Sequence, residues 1–324
     1  MLAKKAKISL IFIYGTIAIF GTFSNTVSIF CLLKQWKVKP RVSNAQKILM
    51  SLIISDLLIS TVSCPIQVAN FFMRIPTHGY VVTTLCGVSS LTILLLALDK
   101  FLRLTRFSIY PNLVNDVRLT VAISFCWIFP TIFMTSAWWN TVVFGLINGL
   151  LTLITLLALP VLYVRIYRFY MQSKRNVAKF SQGQNRSTET ENDCRVFAQP
   201  PTTTPPKDES TDQHISAVHI VKATKSNQKN RRRLTTKILV LMSTYFICTI
   251  IYSTIAFLAS FRLIDHSTVF YLSLAVYHAN SMMNPIIYVF RDSKFRRTVK
   301  QMFGIRSSAI FNPVKIKNIE QEIN

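Results

Sequence analysis

The chain has 324 residues, 51% of them hydrophobic, a formal net charge of +24 and a positive mean hydropathy. High apolar content and high charge coexist only when the two kinds of residue are segregated along the chain. They are here, which excludes an ordinary soluble domain. The basic excess lies between apolar runs, so it reads as membrane topology and attraction to anionic lipid rather than nucleic-acid binding.

Seven runs are long enough to cross a bilayer at roughly 20 residues each: 8–33, 48–73, 80–104, 119–137, 141–166, 238–261 and 268–290. Seven spans put the termini on opposite faces. One face carries only Lys4, Lys5, Lys7, Arg74 and Arg262. The other carries seventeen Lys and Arg even without the long connection between spans five and six, which makes it cytoplasmic. Lys4-Lys5-Ala6-Lys7 resembles the start of a signal peptide. The apolar run behind it is too long and ends without a small-residue cleavage site, so it is read as a span. The expectation is an all-α membrane protein, a seven-helix bundle with an outer N-terminus. Its seven-helix domain covers 1–303, includes an amphipathic helix at 292–303 and is interrupted by a disordered loop at 172–230; a cytoplasmic tail at 304–324 follows.

In chain order, Gly21 and Asn25 open the polar features of span one; small residues let helices approach closely, and a buried amide serves as an interhelical hydrogen-bonding group. Asp56 in span two is the only carboxylate deep in an apolar run, which makes it a functional-site candidate by cost alone. Pro65 predicts a kink beyond it. Span three carries Ser89 and ends in Asp99-Lys100-Phe101. Trp127 in span four reads as packing. The polar stretch that follows span five is low in aromatics and contains Gln199-Pro200-Pro201-Thr202-Thr203-Thr204-Pro205-Pro206, a composition unable to build a core. The last span reads Asn280-Ser281-Met282-Met283-Asn284-Pro285-Ile286-Ile287-Tyr288. Pro285 lacks an N–H, and in lipid the carbonyl it frees must find another partner. Phe295, Val299, Met302 and Phe303 then recur at helical spacing among lysines and arginines, as in a basic helix lying on the inner leaflet.

Asn284-Pro285-x-x-Tyr288, preceded by Asn280-Ser281 and placed at the inner end of the last span before a basic amphipathic helix, resembles the seventh helix of the rhodopsin-like (class A) G-protein-coupled receptors. Asn25, Asp56, Trp127, Tyr163, Tyr245, Cys248 and Tyr252 match family positions in other spans. The resemblance implies an extracellular ligand, a heterotrimeric G protein as partner and a plasma-membrane location. It implies an allosteric sodium ion among Asp56, Ser89, Asn25, Asn280, Ser281 and Asn284, and no other cofactor. Asp99, Lys100, Phe101, Tyr163 and Tyr288 would be the inner switch, and Pro285 the helix kink. Val82, Cys86, Tyr252, Tyr271 and His278 would line a pocket suited to a peptide or a small apolar molecule. Val82 and His278 stand where amine receptors and opsins carry their ligand-binding aspartate and lysine, so neither subgroup is expected.

The chain departs from the family at several points. Lys100 and Phe101 replace the arginine and tyrosine of the Asp-Arg-Tyr triplet. Thr155 stands for the proline of helix five, and Thr249 and Ile251 for the tryptophan and proline of helix six. The outer disulfide is absent, since Ile75 stands near one position and the loop at Trp138–Asn140 has no cysteine. No enzyme motif is visible: the chain has eight glycines and no phosphate-binding loop, and its five histidines make no metal spacing. A seven-helix transporter or channel using Asp56 as its coupling-ion site is the competing class; no internal repeat supports it.

Overall fold

The computed structural model describes residues 4–38, 42–73, 75, 78–106, 108–135, 152–169, 171–172, 175, 240, 242–255, 258, 266–291 and 293–304. Of the loop expected to be disordered at 172–230, Gln172 and Arg175 are helical and the rest lies outside the described residues, as do the tail beyond 304 and the turn expected at Trp138–Asn140. The helices are α1 (Lys4–Val38), α2 (Asn44–Met73), α3 (His78–Thr105), α4 (Asp116–Thr135), α5 (Thr152–Phe169), α6 (Met242–Ile255), α7 (His266–Arg291) and α8 (Ser293–Met302). A one-turn helix, Tyr110–Leu113, sits between α3 and α4. No strand occurs among the described residues. Among the described residues, five helices, α1 to α5, are long and apolar enough to cross a membrane. α7 matches them in length, but His278, Asn280, Ser281 and Asn284 lower its apolarity.

The bundle is more polar inside than out, as lipid demands. On α1 the buried stripe is Leu10, Tyr14, Ile17, Gly21, Asn25, Ser28 and Cys31 at helical spacing. The opposite face shows Phe12, Ile19, Phe20, Phe23 and Phe30. With lipid as apolar as leucine, helix association rests on close packing and interhelical hydrogen bonds. α1 packs against α2 and α7, and α3 packs against α2 and α4. Trp127 does more than pack, because its indole N–H donates to Ser51 Oγ at 2.9 Å and ties α4 to α2.

α2 contains a π turn over Ile59–Ser63, in which the Cys64 N–H reaches back to the Ile59 carbonyl. It lies directly before Pro65, and a widened turn relieves the crowding of a proline ring against the preceding turn. The kink expected at Pro65 therefore takes the form of this π turn. It leaves Ser60 fully buried against α1, where a Cβ built on Gly21 would meet Ser60 Oγ at 2.2 Å. Gly15, on the same helix, has open space around it. Gly21→Ala is therefore expected to cost about 1–3 kcal/mol through overpacking, whereas Gly15→Ala should be neutral or stabilising. Thermal melting of the two variants in detergent checks the difference.

α8 docks rather than simply floating on the leaflet. Phe295 is buried, at 3% exposure, Met302 Sδ lies 3.4 Å from Cys31 Sγ, and Phe303 approaches Phe23 with ring centroids 6.5 Å apart. All five described cysteines, Cys31, Cys64, Cys86, Cys126 and Cys248, are free thiols.

Candidate functional site

Asp56 is fully buried at the middle of the bundle. Asn284 Nδ2 on α7 donates to its Oδ2 at 2.7 Å, and Ser89 Oγ on α3 donates to its Oδ1 at 3.0 Å; Ser281 is a third partner. One carboxylate thus joins α2, α3 and α7. The proline break is resolved beside it. Pro285 cannot donate to the Ser281 carbonyl one turn back, and Asn25 Nδ2 on α1 donates to that carbonyl instead, at 3.2 Å, while also reaching Gly21 O at 2.9 Å. Asn25 therefore supplies the partner that the sequence requires for the freed carbonyl.

Three buried amide oxygens, Oδ1 of Asn25, Asn280 and Asn284, have no hydrogen-bond partner. Unpartnered buried acceptors carry the full desolvation cost of the group. With the Asp56 carboxylate and the Ser89 hydroxyl they make an all-oxygen donor set, the kind a hard cation prefers. The residues present thus fit the sodium ion that the resemblance implies.

At the C-terminal end of α3, Asp99 and Lys100 are both buried, at 3% and 5% exposure, and Lys100 Nζ lies 3.7 Å from Asp99 Oδ2. The hub there is Tyr110, which the sequence reading did not single out. Its hydroxyl donates a short hydrogen bond to Asp99 Oδ1. It accepts from Arg103 Nη2 at 2.9 Å and from Asn44 Nδ2 at 3.1 Å. The Arg103 guanidinium stacks over the Tyr110 ring, 4.9 Å from its centroid, and stands 3.8 Å from Asp99 Oδ2. Burial, followed by the hydrogen bond to Asp99, pushes the Tyr110 hydroxyl above its ordinary range, so it remains a donor at neutral pH. Arg103, one turn beyond Lys100, places the planar fork that Lys100 lacks on the same carboxylate. Of the other expected switch residues, Phe101 is half-buried and Tyr163 packs against the inner apolar core. Tyr288 sits on α7, and its side chain lies outside the described residues.

A small cavity opens between α3, α5, α6 and α7. Val82, Cys86 and Tyr252 line it, together with Thr249, Leu274 and Tyr277. Tyr271 and His278 do not. Tyr271 meets Phe71 edge-on at 5.1 Å and its carbonyl accepts from Tyr14 Oη at 2.9 Å. His278 is fully buried, with Nε2 2.8 Å from Ser63 Oγ and its ring edge-on to Tyr14. Consecutive helical residues point about 100° apart. The 271 and 278 positions therefore face α1 and α2, while 274 and 277 face the cavity.

Apolar spans, a buried carboxylate joining three helices and a proline-broken last helix, with only helices among the described residues, define a multi-pass membrane protein. Residues 130–288 match the family described as 7 transmembrane receptor (rhodopsin family). The chain is 22% identical to the G-protein coupled receptor moody of Drosophila melanogaster over 356 aligned positions, covering 92% of this chain and 51% of that protein. It is 29% identical to the moody receptor of Drosophila pseudoobscura pseudoobscura over 121 residues, covering 35% of this chain and 18% of that one. The chain thus spans about half the length, or less, of these relatives. Over residues 130–288 the chain is thus similar to the rhodopsin-family seven-transmembrane receptors.

Proposed function

We propose that the chain lies in the plasma membrane with its N-terminus outside, binds an extracellular ligand and activates a heterotrimeric G protein at its inner face. The observation that carries this reading is the Asp56–Asn284 hydrogen bond, 2.7 Å long, one residue before the Pro285 break. It sits between the cavity and the inner end of α3, where a change in α7 is felt by both. A ligand shifts such a bundle only by binding its two states differently. The cavity supplies the place for differential contacts, and the Asp99–Tyr110–Arg103 clasp supplies an inner element able to hold one state. Sodium, held by Asp56, Ser89 and the asparagine oxygens, would add positive charge to the buried carboxylate and favour the resting state.

Lys100 stands where the family carries arginine and has no planar fork to offer a G protein. Lys100→Arg is expected to raise nucleotide exchange on the coupled G protein, measured at equal surface expression. Unchanged basal and ligand-driven exchange in that variant would count against the inner-switch role of Lys100.

A further inference from the structure

The exposed stripe of α1 changes chemistry at its end. Phe12, Ile19, Phe23 and Phe30 recur at helical spacing, and all are exposed. The same spacing carries the stripe on to Lys34 and Lys37, which are exposed too. α8 lies beside this end of α1. Phe303 meets Phe23 with ring centroids 6.5 Å apart, and Met302 Sδ is 3.4 Å from Cys31 Sγ, one turn before Lys34. On the side of α8 turned away from the buried Phe295, Arg297 and Lys300 are exposed. Among the described residues, none of Lys34, Lys37, Arg297 and Lys300 forms an ion pair with a carboxylate.

Lysines at the end of a span reach water by themselves, so two of them alone carry no site. Here a second basic element lies against the same end, and an exposed apolar strip leads straight into the cations. That is the order of parts in a phospholipid, chains first and phosphate after. Four cations without a carboxylate exceed what a headgroup of one negative charge can match. Each Lys or Arg near an anionic surface contributes about fivefold in affinity. A basic amphipathic helix also suits an acidic protein groove, but the apolar side of α8 is already used, with Phe295 buried and Met302 against Cys31. We propose that the corner between α1 and α8 binds a phospholipid whose headgroup carries several phosphates. Its chains lie along Phe23 and Phe30, and its phosphates meet Lys34, Lys37, Arg297 and Lys300. The inference rests on the proposed orientation only for the leaflet that supplies the lipid, which is then the inner one.

The full chain in dodecylmaltoside micelles is titrated with dioctanoyl phosphatidylinositol bisphosphate, dioctanoyl phosphatidylserine and free inositol trisphosphate, and bound copies are counted by native mass spectrometry. The bisphosphate lipid is expected to bind saturably, about tenfold or more tighter than the serine lipid. It should surpass the free headgroup as well, which has no chain to lay on the stripe. Lys34→Gln with Lys37→Gln should weaken it about tenfold or more. Lys34→Arg with Lys37→Arg keeps the charge and should bind as the parent does, which guards against misfolding as the cause of a loss. Lys4→Gln with Lys5→Gln removes the same charge from the other end of α1 and should change nothing. Equal affinity in the two glutamine pairs, a serine lipid bound as tightly as the bisphosphate, or a free headgroup bound as tightly as the lipid overturns the assignment. Absence of lipid binding overturns it too, and capture of the chain by calcium-loaded calmodulin in that case assigns α8 to an acidic protein groove. No arm involves a G protein and a micelle has no sides, so failure of the receptor reading or of the proposed orientation leaves the binding result standing.

Discussion

Asp56→Asn is expected to abolish the response of the protein to sodium. In the parent chain, replacing choline by an equal concentration of sodium should raise the melting temperature and lower basal nucleotide exchange. Three buried amide oxygens, of Asn25, Asn280 and Asn284, lack a hydrogen-bond partner, and the Asp56 carboxylate is bonded to Asn284 and Ser89. A proton on Asp56 donates to one acceptor only and leaves the others unpaired, whereas a cation draws on several oxygens together. A cation present at about ten times its dissociation constant stabilises the folded state by about 1.4 kcal/mol. The neutral amide in Asp56→Asn removes the charge that makes binding favourable, so both sodium effects should vanish. Effects that persist unchanged in the variant, or are absent from the parent, sink the sodium site. Melting reads binding without reference to any G protein, so the site stands or falls apart from the signalling function.

Tyr110→Phe is expected to raise basal nucleotide exchange about tenfold or more. The substitution keeps the ring beneath Arg103 and removes one hydroxyl that serves three groups. Asp99 loses its short hydrogen bond, and Arg103 and Asn44 lose their acceptor. Hydrogen bonds to charged groups are worth about 1.5–3 kcal/mol, and 1.4 kcal/mol is already tenfold in an equilibrium. If the clasp belongs to the resting state, that energy is released to the active one. Arg103→Gln should move exchange in the same direction by less, because the Tyr110–Asp99 bond remains. Basal exchange equal to the parent's in Tyr110→Phe, with unaltered melting, would show that the clasp does not hold the resting state.

Asp56 and Asn284 were legible because each breaks an apolar pattern at a cost that lipid makes large, and Pro285 announced the carbonyl in need of a partner. The partner itself was not legible as a pairing. Asn25 and Ser281 are separated by most of the chain, and only the packing of α1 on α7 brings them together. Tyr110 lies in a one-turn helix between spans, where no periodicity marks a buried hydroxyl. Its signal was chemical rather than periodic: a tyrosine within reach of a helix end that carries Asp99 and Arg103. The cavity shows a third kind of limit. Val82, Cys86 and Tyr252 line the cavity, whereas the expected Tyr271 and His278 face α1 and α2 and Tyr277 faces the cavity, a matter of the rotation of α7. The π turn before Pro65 followed from the proline, although its form as a widened turn, pressing Ser60 against Gly21, required the neighbouring helix.

The central claim is that this seven-helix membrane protein acts as a receptor for a heterotrimeric G protein rather than as a conduit. The most direct measurement is the rate of guanine-nucleotide exchange on purified heterotrimers, with the full chain in lipid nanodiscs and empty nanodiscs as reference. The account predicts faster exchange on at least one class of heterotrimer, with a further rise in Tyr110→Phe. No acceleration on any class, together with solute flux through the chain in liposomes that Asp56→Asn abolishes, would contradict it and assign the buried carboxylate to transport.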